Sequence, residues 1–264
     1  MINPKLIMTS SQRQNKIDLA GMEMADKLGI EVVPRERRAI DWLLDEYNAD
    51  GVIVWQESGP ILHLDGQKFF FHPSMAKARI SMLRKDLIID PMLQAMEVKG
   101  GDNVLDCTLG LGADAIVAAY AAGPEGQVLG LEKVPVLAVL VAYGLAHYRT
   151  DMKSLQAAIQ RIKVVNQEHH EYLQLLADKS FDIVYFDPMF RKPVVNSTGI
   201  KPLRLLAEGA PLQPESVREA VRVARKRVVV KERNGSTEFE RLGCQRILGS
   251  TSSPVAYGII EVGR

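Results

Sequence analysis

The chain has 264 residues, 47% hydrophobic and 25% charged, ordinary globular usage that excludes a disordered or fibrous protein and suits one large domain or a large domain plus a small one. Thirty-three basic against thirty-two acidic side chains leave a net charge of +1, a total that argues against a partner as acidic as nucleic acid. Cys107 and Cys244 are the two cysteines, so there is neither a disulfide framework nor cysteine-based zinc spacing, and no metal is expected.

In chain order, the opening M-I-N-P-K-L-I-M-T-S-S-Q lacks the basic region, apolar run and cleavage site of a secretory signal. The longest nearly apolar stretch, Val134 to Ala146, falls short of the roughly 20 residues a membrane span needs, so a soluble, cytoplasmic protein is expected. Helix-like patterns occupy Gln12–Leu28 and Glu36–Tyr47. Strand-like runs follow at Gly51–Gln56, Ile61–Leu64 and Lys68–His72, with turns at Gly59-Pro60 and Asp65-Gly66. These predict a small N-terminal α/β region over residues 1–85 with a short meander. Helices around Met75–Lys85 and Asp90–Val98 join it to a larger domain over 86–264. Phe69-Phe70-Phe71-His72-Pro73-Ser74 reads as a core strand with a helix cap at Ser74, or else as a substrate or cofactor contact.

Beyond residue 100, strand-like runs at Asn103–Asp106, Gln127–Glu132, Arg161–Asn166, Phe181–Asp187 and Arg227–Glu232 alternate with helical stretches. Several are continuous in Val, Ile and Leu, the pattern of a doubly wound, Rossmann-like parallel sheet covered on both faces. Cys244–Ser250 and Val255–Val262 are joined too tightly for a helical crossover, which predicts an antiparallel hairpin at the sheet edge.

The first of these strands runs into Asp106-Cys107-Thr108-Leu109-Gly110-Leu111-Gly112-Ala113-Asp114-Ala115. Gly110-x-Gly112-x-x-Ala115 satisfies the dinucleotide fingerprint, with Glu132 placed for a ribose, so a nicotinamide or flavin enzyme is one reading. Asp106 favours another. A carboxylate aimed at a pyrophosphate would repel it, whereas S-adenosylmethionine carries a sulfonium and an amino group and no phosphate. The spacing D-x-x-x-G-x-G resembles the first motif of class I S-adenosylmethionine-dependent methyltransferases, with Glu132 accepting from ribose hydroxyls. Taken singly, each piece also reads as a turn or a helix cap. His169 and His170 are adjacent and point apart on any regular element, so they make no metal pair.

The fourth strand ends in Asp187-Pro188-Met189-Phe190, at the edge where open α/β sheets bind ligands. The tetrapeptide resembles the D/N-P-P-Y/F motif of enzymes that methylate exocyclic amines of nucleobases, although Met189 replaces the second proline. Asp187 and the Pro188 carbonyl would accept the two N–H bonds of the amine, and Phe190 would stack on the base. A plain Asp-Pro turn is the alternative.

Residues 191–233 hold eleven Lys or Arg against four Asp or Glu, a local +7 that leaves the rest of the chain at −6. Arg191, Lys192, Lys201, Arg204 and Lys231 are candidate contacts to substrate RNA. Arg218, Arg222 and Arg225 share helical spacing and can pair with Glu215 and Glu219, which makes a solvated helix face the competing reading there.

Together D-C-T-L-G-L-G-A-D (106–114), V-Y-F-D-P-M-F (184–190) and R-V-V-V-K (227–231), with the small N-terminal region, resemble the small-subunit rRNA guanine-N2 methyltransferase J family over most of residues 50 to 235. A Gram-positive branch of methyltransferases shares these motifs. The resemblance implies methyl transfer from S-adenosylmethionine to guanine N2 in 16S rRNA, with S-adenosylhomocysteine as product. It also implies a cofactor pocket from Asp106, Thr108, Gly110, Gly112, Ala113, Asp114, Glu132, Lys133, Glu168, His169 and Asp187. Ala113 stands where the family has Arg, Lys133 replaces a second Arg, and Glu168 and His169 fall where it has two serines. A small-molecule or protein-amide methyltransferase, and a non-catalytic RNA-binding protein, remain as alternatives.

Overall fold

The computed structural model describes residues 4–13, 16–188, 211–250 and 253–263. Its first part runs β1 (Leu6–Ser10), α1 (Leu19–Leu28), β2 (Glu31–Val32), α2 (Ile40–Glu46), β3 (Gly51–Trp55), β4 (Ile61–Leu64), β5 (Gln67–Phe69), α3 (Ser74–Leu83) and α4 (Pro91–Met96). The second part runs β6 (Asn103–Asp106), α5 (Ala113–Ala122), β7 (Gln127–Leu131), α6 (Pro135–His147), α7 (Lys153–Ile159), β8 (Ile162–Val165), α8 (His169–Leu175) and β9 (Phe181–Phe186). It continues with α9 (Pro214–Val223), β10 (Ala224–Arg233), α10 (Glu238–Arg241), β11 (Arg246–Leu248) and β12 (Val255–Glu261).

The larger sheet has the order β11-β12-β10-β9-β6-β7-β8. It is parallel from β10 to β8, and β12 pairs antiparallel with both β10 and β11, so the doubly wound sheet with its antiparallel edge hairpin is the fold the sequence predicts. Side chains alternate between two cores. Val104, Ile183, Tyr185 and Val229 face one, while Leu105, Val184, Phe186, Val228 and Val230 face the other. That two-sided burial accounts for the unbroken apolar runs. The chain winds outward from β6 through β7 to β8 and then returns to place β9 on the other side of β6, which makes the carboxyl ends of β6 and β9 the switch point where such sheets bind ligands.

The N-terminal part forms its own sheet in the order β2-β1-β3-β4-β5. The expected meander is β3-β4-β5, but β1 and β2 add parallel strands that the pattern did not reveal. All five residues of β1 are buried, including two that look like surface residues in sequence, and the Thr9 hydroxyl donates to the Val33 carbonyl at 2.9 Å. Helix α1 starts at Leu19 rather than near Gln12 because the Asp18 side chain caps it by accepting from Gly21 N–H. Helix α2 starts only at Ile40, since Glu36 and Arg37 adopt left-handed backbone angles that no helix continues through. Ser74 is the first residue of α3 and not its cap, a place taken by Pro73 without a side-chain bond.

The two sheets share α6. Val136, Leu137 and Leu140 pack on the N-terminal sheet, and Val141 and Leu145 face the larger core, so this helix is apolar all round. Gly144 is required there, because a Cβ would lie 2.1 Å from the Phe71 ring. Helix α3 in turn buries Ala76 and Ile80 in the larger core beside α5. Among the described residues, no helix is long and apolar enough to cross a membrane.

Candidate active site

Strand β6 ends at Asp106, 2% exposed, whose Oδ1 accepts the Thr108 N–H at 3.0 Å. Cys107 is buried behind the turn, and the chain passes through Gly110 (φ +52) and Gly112 (φ +78) into α5. At Gly110 a Cβ would meet nothing closer than the Thr108 carbonyl oxygen at 4.0 Å, so glycine supplies both the left-handed angle and open space in front of the turn. Glu132, just past β7, fixes the turn from behind. Its two oxygens accept Gly110 N–H at 3.0 Å and Val134 N–H at 2.8 Å, and burial raises its pKa against those bonds.

The Asn166 amide donates to the carbonyls of Glu132 at 2.8 Å and Lys133 at 3.1 Å, setting the path of the chain after β7. Glu168 caps α8 through the N–H groups of His170 and Glu171, at 2.7 and 3.2 Å, and its other oxygen meets His169 Nδ1 at 3.0 Å. His169 packs edge-on to Phe186, and burial lowers its pKa. His170 turns away to Ser216 and Gln174, so the two histidines diverge.

Ala113 opens α5 and Asp114 lies in its first turn. The Asp114 carboxylate takes the Arg79 guanidinium on one oxygen, and the Tyr185 hydroxyl at 2.8 Å and the Lys231 ammonium at 3.1 Å on the other. Lys231 also donates to Asp187 Oδ2 at 2.7 Å, and Arg79 grips Asp90 at 2.8 and 3.0 Å. The Asp187 N–H donates to Thr108 Oγ1 at 2.6 Å, tying the end of β9 to the glycine turn.

One alternating chain of charge, Asp90, Arg79, Asp114, Lys231 and Asp187, therefore underlies the switch point. Burial works against the Asp114 charge, but Lys231 and Arg79 overcome it and hold that carboxyl down at about 2. Burial pushes Asp187 up to about 6 against the pull of Lys231. Asp106 is pushed by burial to about 8, with Asp114 and Asp187 adding to the rise, and no cation among the described residues lies within ion-pair distance of it. Among the described residues, Asp106 thus has no ion-pair partner, and the turn is open in front of Gly110.

Pro188 closes the described part of β9's exit. Met189, Phe190, Arg191, Lys192, Lys201 and Arg204 lie outside the described residues. Lys231, a candidate RNA contact in the sequence, places its ammonium between Asp114 and Asp187 inside the site. On α9 Arg218 pairs with Glu215 and Arg222 with Glu219 and Asp178, whereas Arg225, which the spacing places on the same helix, lies on β10 because the helix ends at Val223, and it pairs with Asp182. Arg79, Asp90 and Tyr185 went unnoticed in the sequence. Tyr185 alone had a local signal, a hydroxyl in an otherwise apolar strand. Beside the site a cleft of about 230 Å³ opens between Pro188, Leu212, Val230, Asn234 and Leu242.

Residues 70–246 match the family model described as "Putative SAM-dependent methyltransferase". The chain belongs to this family. Membership makes it an S-adenosylmethionine-dependent methyltransferase and removes the nicotinamide reading. Protein YpiP of Bacillus subtilis (strain 168) is 39% identical over 97% of this chain and 99% of its own length. The Ribosomal RNA small subunit methyltransferase J of Thioalkalivibrio sulfidiphilus is 33% identical, but the match covers 59% of this chain and 60% of that enzyme. A solved SAM-dependent methyltransferase from Neisseria gonorrhoeae superposes with a TM-score of 0.67 at 17% identity, covering 96% of this chain and 95% of its own, which shows the shared fold. The residues suit the methyltransferase's cationic cofactor: Asp106 is a buried acid with no ion-pair partner among the described residues, and at Gly110 no side chain fills the space in front of the turn.

Proposed function

We propose that this methyltransferase modifies an exocyclic amine of a nucleobase in RNA, with guanine N2 of 16S rRNA, free or in the small ribosomal subunit, as the target. The carrying observation is Asp187, a carboxylate held by Lys231 through its side chain and by Thr108 through its backbone, directly ahead of Pro188 in D-P-M-F. Small-subunit rRNA methyltransferase J relatives support the RNA class.

An exocyclic amine is a poor nucleophile because its lone pair is delocalised into the ring. Asp187 and the Pro188 carbonyl accept its two N–H bonds and favour a pyramidal nitrogen. S-adenosylmethionine, when bound, supplies a methyl group made electrophilic by its sulfonium. Lys231 keeps Asp187 ionised at neutral pH despite burial, and Asp187 can take the proton that the amine releases as the N–C bond forms and the methyl–sulfur bond breaks, with S-adenosylhomocysteine as the leaving thioether. Orientation and proximity supply the rest of the acceleration, without a covalent enzyme intermediate. Phe190 stacks on the base, and Arg191, Lys192, Lys201 and Arg204 meet phosphates. Asp106, Thr108, Gly110, Gly112, Ala113, Asp114, Glu132, Lys133, Glu168 and His169 border the cofactor pocket. Residues 86–264 form the catalytic domain, with 1–85 as a smaller region, and the protein works in the cytoplasm.

The test is transfer of labelled methyl from S-adenosylmethionine to unmethylated 16S rRNA, compared with Asp187→Ala. Wild type should label the RNA, and the variant should lose labelling while keeping its S-adenosylmethionine affinity. Transfer indifferent to RNA and to salt would point instead to a small molecule or a protein amide.

A further inference from the structure

The described cations of the basic segment from Arg218 to Arg227 each meet a carboxylate. A second set does not. Lys77 on α3, with Arg84 and Lys85 just after it, is exposed and forms no ion pair among the described residues. In the same segment of chain Phe70, Met75, Met82, Leu87 and Ile89 are all exposed, Met75 by 64% and Ile89 by 74%. Met75 and Met82 share one stripe of α3, and exposed apolar side chains that share a face mark an interaction site more often than single ones do.

This surface borders the active site. Helical spacing lines up Met75, Ala78 and Met82 on one stripe of α3, and Arg79 lies one turn on from Met75, at the stripe's edge. Its guanidinium turns inward to Asp114 and Asp90. Leu87 and Ile89 lead straight into Asp90. Three cations face a single acid, Asp86, across the segment. A symmetric second copy would bring like charges together, whereas a polyanion would be attracted. Aromatic and methionine side chains give unpaired bases flat or adaptable surfaces to stack on, and Lys and Arg take the phosphates.

We infer that the surface from Phe70 to Ile89 docks the RNA carrying the target nucleotide, with an unpaired stretch lying on Phe70, Met75 and Met82 and its phosphates on Lys77, Arg84 and Lys85. The inference rests on the RNA reading above and adds a docking face on α3, on the other side of the larger sheet from the arginine helix.

The full chain is titrated with fluorescent, unmethylated 16S rRNA fragments at several salt concentrations. The triple variant Lys77→Glu, Arg84→Glu, Lys85→Glu should weaken binding at least about tenfold at 0.1 M salt and flatten the log K against log salt slope by about 2 to 3. Phe70→Ala should weaken binding about tenfold with the slope unchanged, since stacking is not a counterion effect. Both variants should keep the wild-type melting temperature and S-adenosylmethionine affinity. A control triple, Lys153→Glu, Lys163→Glu, Lys179→Glu, should act far less. RNA affinity unchanged in the first triple, or lowered equally by the control, overturns the inference while leaving methyl transfer to RNA intact. RNA binding that responds to the triple without any methyl transfer keeps the docking surface and defeats the functional reading. Failure of wild type to bind RNA, with light scattering or anionic-vesicle binding instead responding to the triple, assigns the surface to another partner and overturns the inference.

Discussion

Strand β10 begins and ends in cation–carboxylate contacts, and the two ends do different work. At its entry, Lys226 meets Asp102 and Asp182, while Arg227 bonds the Ala95 carbonyl, Glu97 and Glu261, so that β6, β9, β10 and β12 are clipped together along one edge. The Lys226 and Arg225 side chains are 42% and 44% exposed, so water and salt screen their pairs and each stabilises little. At its exit, Lys231 is wedged between Asp114 and Asp187 where burial raises every electrostatic stake. Burial, and not the kind of residue, decides whether a pair trims the fold or sets the protonation of a carboxylate.

That contrast is open to attack at both ends. Asp187→Ala should cost the most, lowering methyl transfer about 100- to 1000-fold while circular dichroism and cofactor binding stay unchanged. Next comes Lys231→Met, which leaves Asp114 and Asp187 buried without their shared cation. Denaturant unfolding should show a loss of about 3 to 5 kcal/mol. In wild type, kcat/KM should rise through about pH 6 as Asp187 ionises, and in the same Lys231 variant this limb should move to higher pH, because the cation that opposed burial is gone.

Asp106 predicts a smaller, pH-dependent effect. Its folded carboxyl holds a proton up to about 8 against an ordinary 3.8, so the folded state binds the proton more tightly and stability falls as pH rises across that window. Asp106→Asn should therefore raise the melting temperature at pH 9 and hardly at pH 4. Calorimetry on wild type should find S-adenosylmethionine binding tighter at pH 9 than at pH 6.5, with proton release below pH 8, and the Asn variant should lose both signatures. Smallest of all, Arg225→Ala should change unfolding free energy by no more than about 1 kcal/mol, and less in high salt.

What the sequence could tell follows the range of each interaction. The places of Asp106, the two glycines and Asp187-Pro188 at strand ends and in a turn are legible because strand, turn and helix follow one another within a few residues. Glu132 was readable as a strand-end carboxylate, although its bonds to the backbone of Gly110 and Val134 were not. Arg79 reaches Asp114 from thirty-five residues away, beyond any periodic pattern. Lys231 was counted among free cations because a charge tally records sign and not partners. The pairing of Arg218 and Arg222 with Glu215 and Glu219 is legible from helical spacing, but the reach of Arg222 to Asp178 and the place of Arg225 on β10 beside Asp182 are not. Strand β1 was hidden by Thr9 and Ser10, polar residues that the parallel pairing buries.

The most direct test is mass-spectrometric mapping of 16S rRNA methylation in cells with and without the gene. One N2-methylguanine should disappear on deletion, return with the wild-type gene and fail to return with Asp187→Ala. Identical rRNA maps in both strains would contradict it.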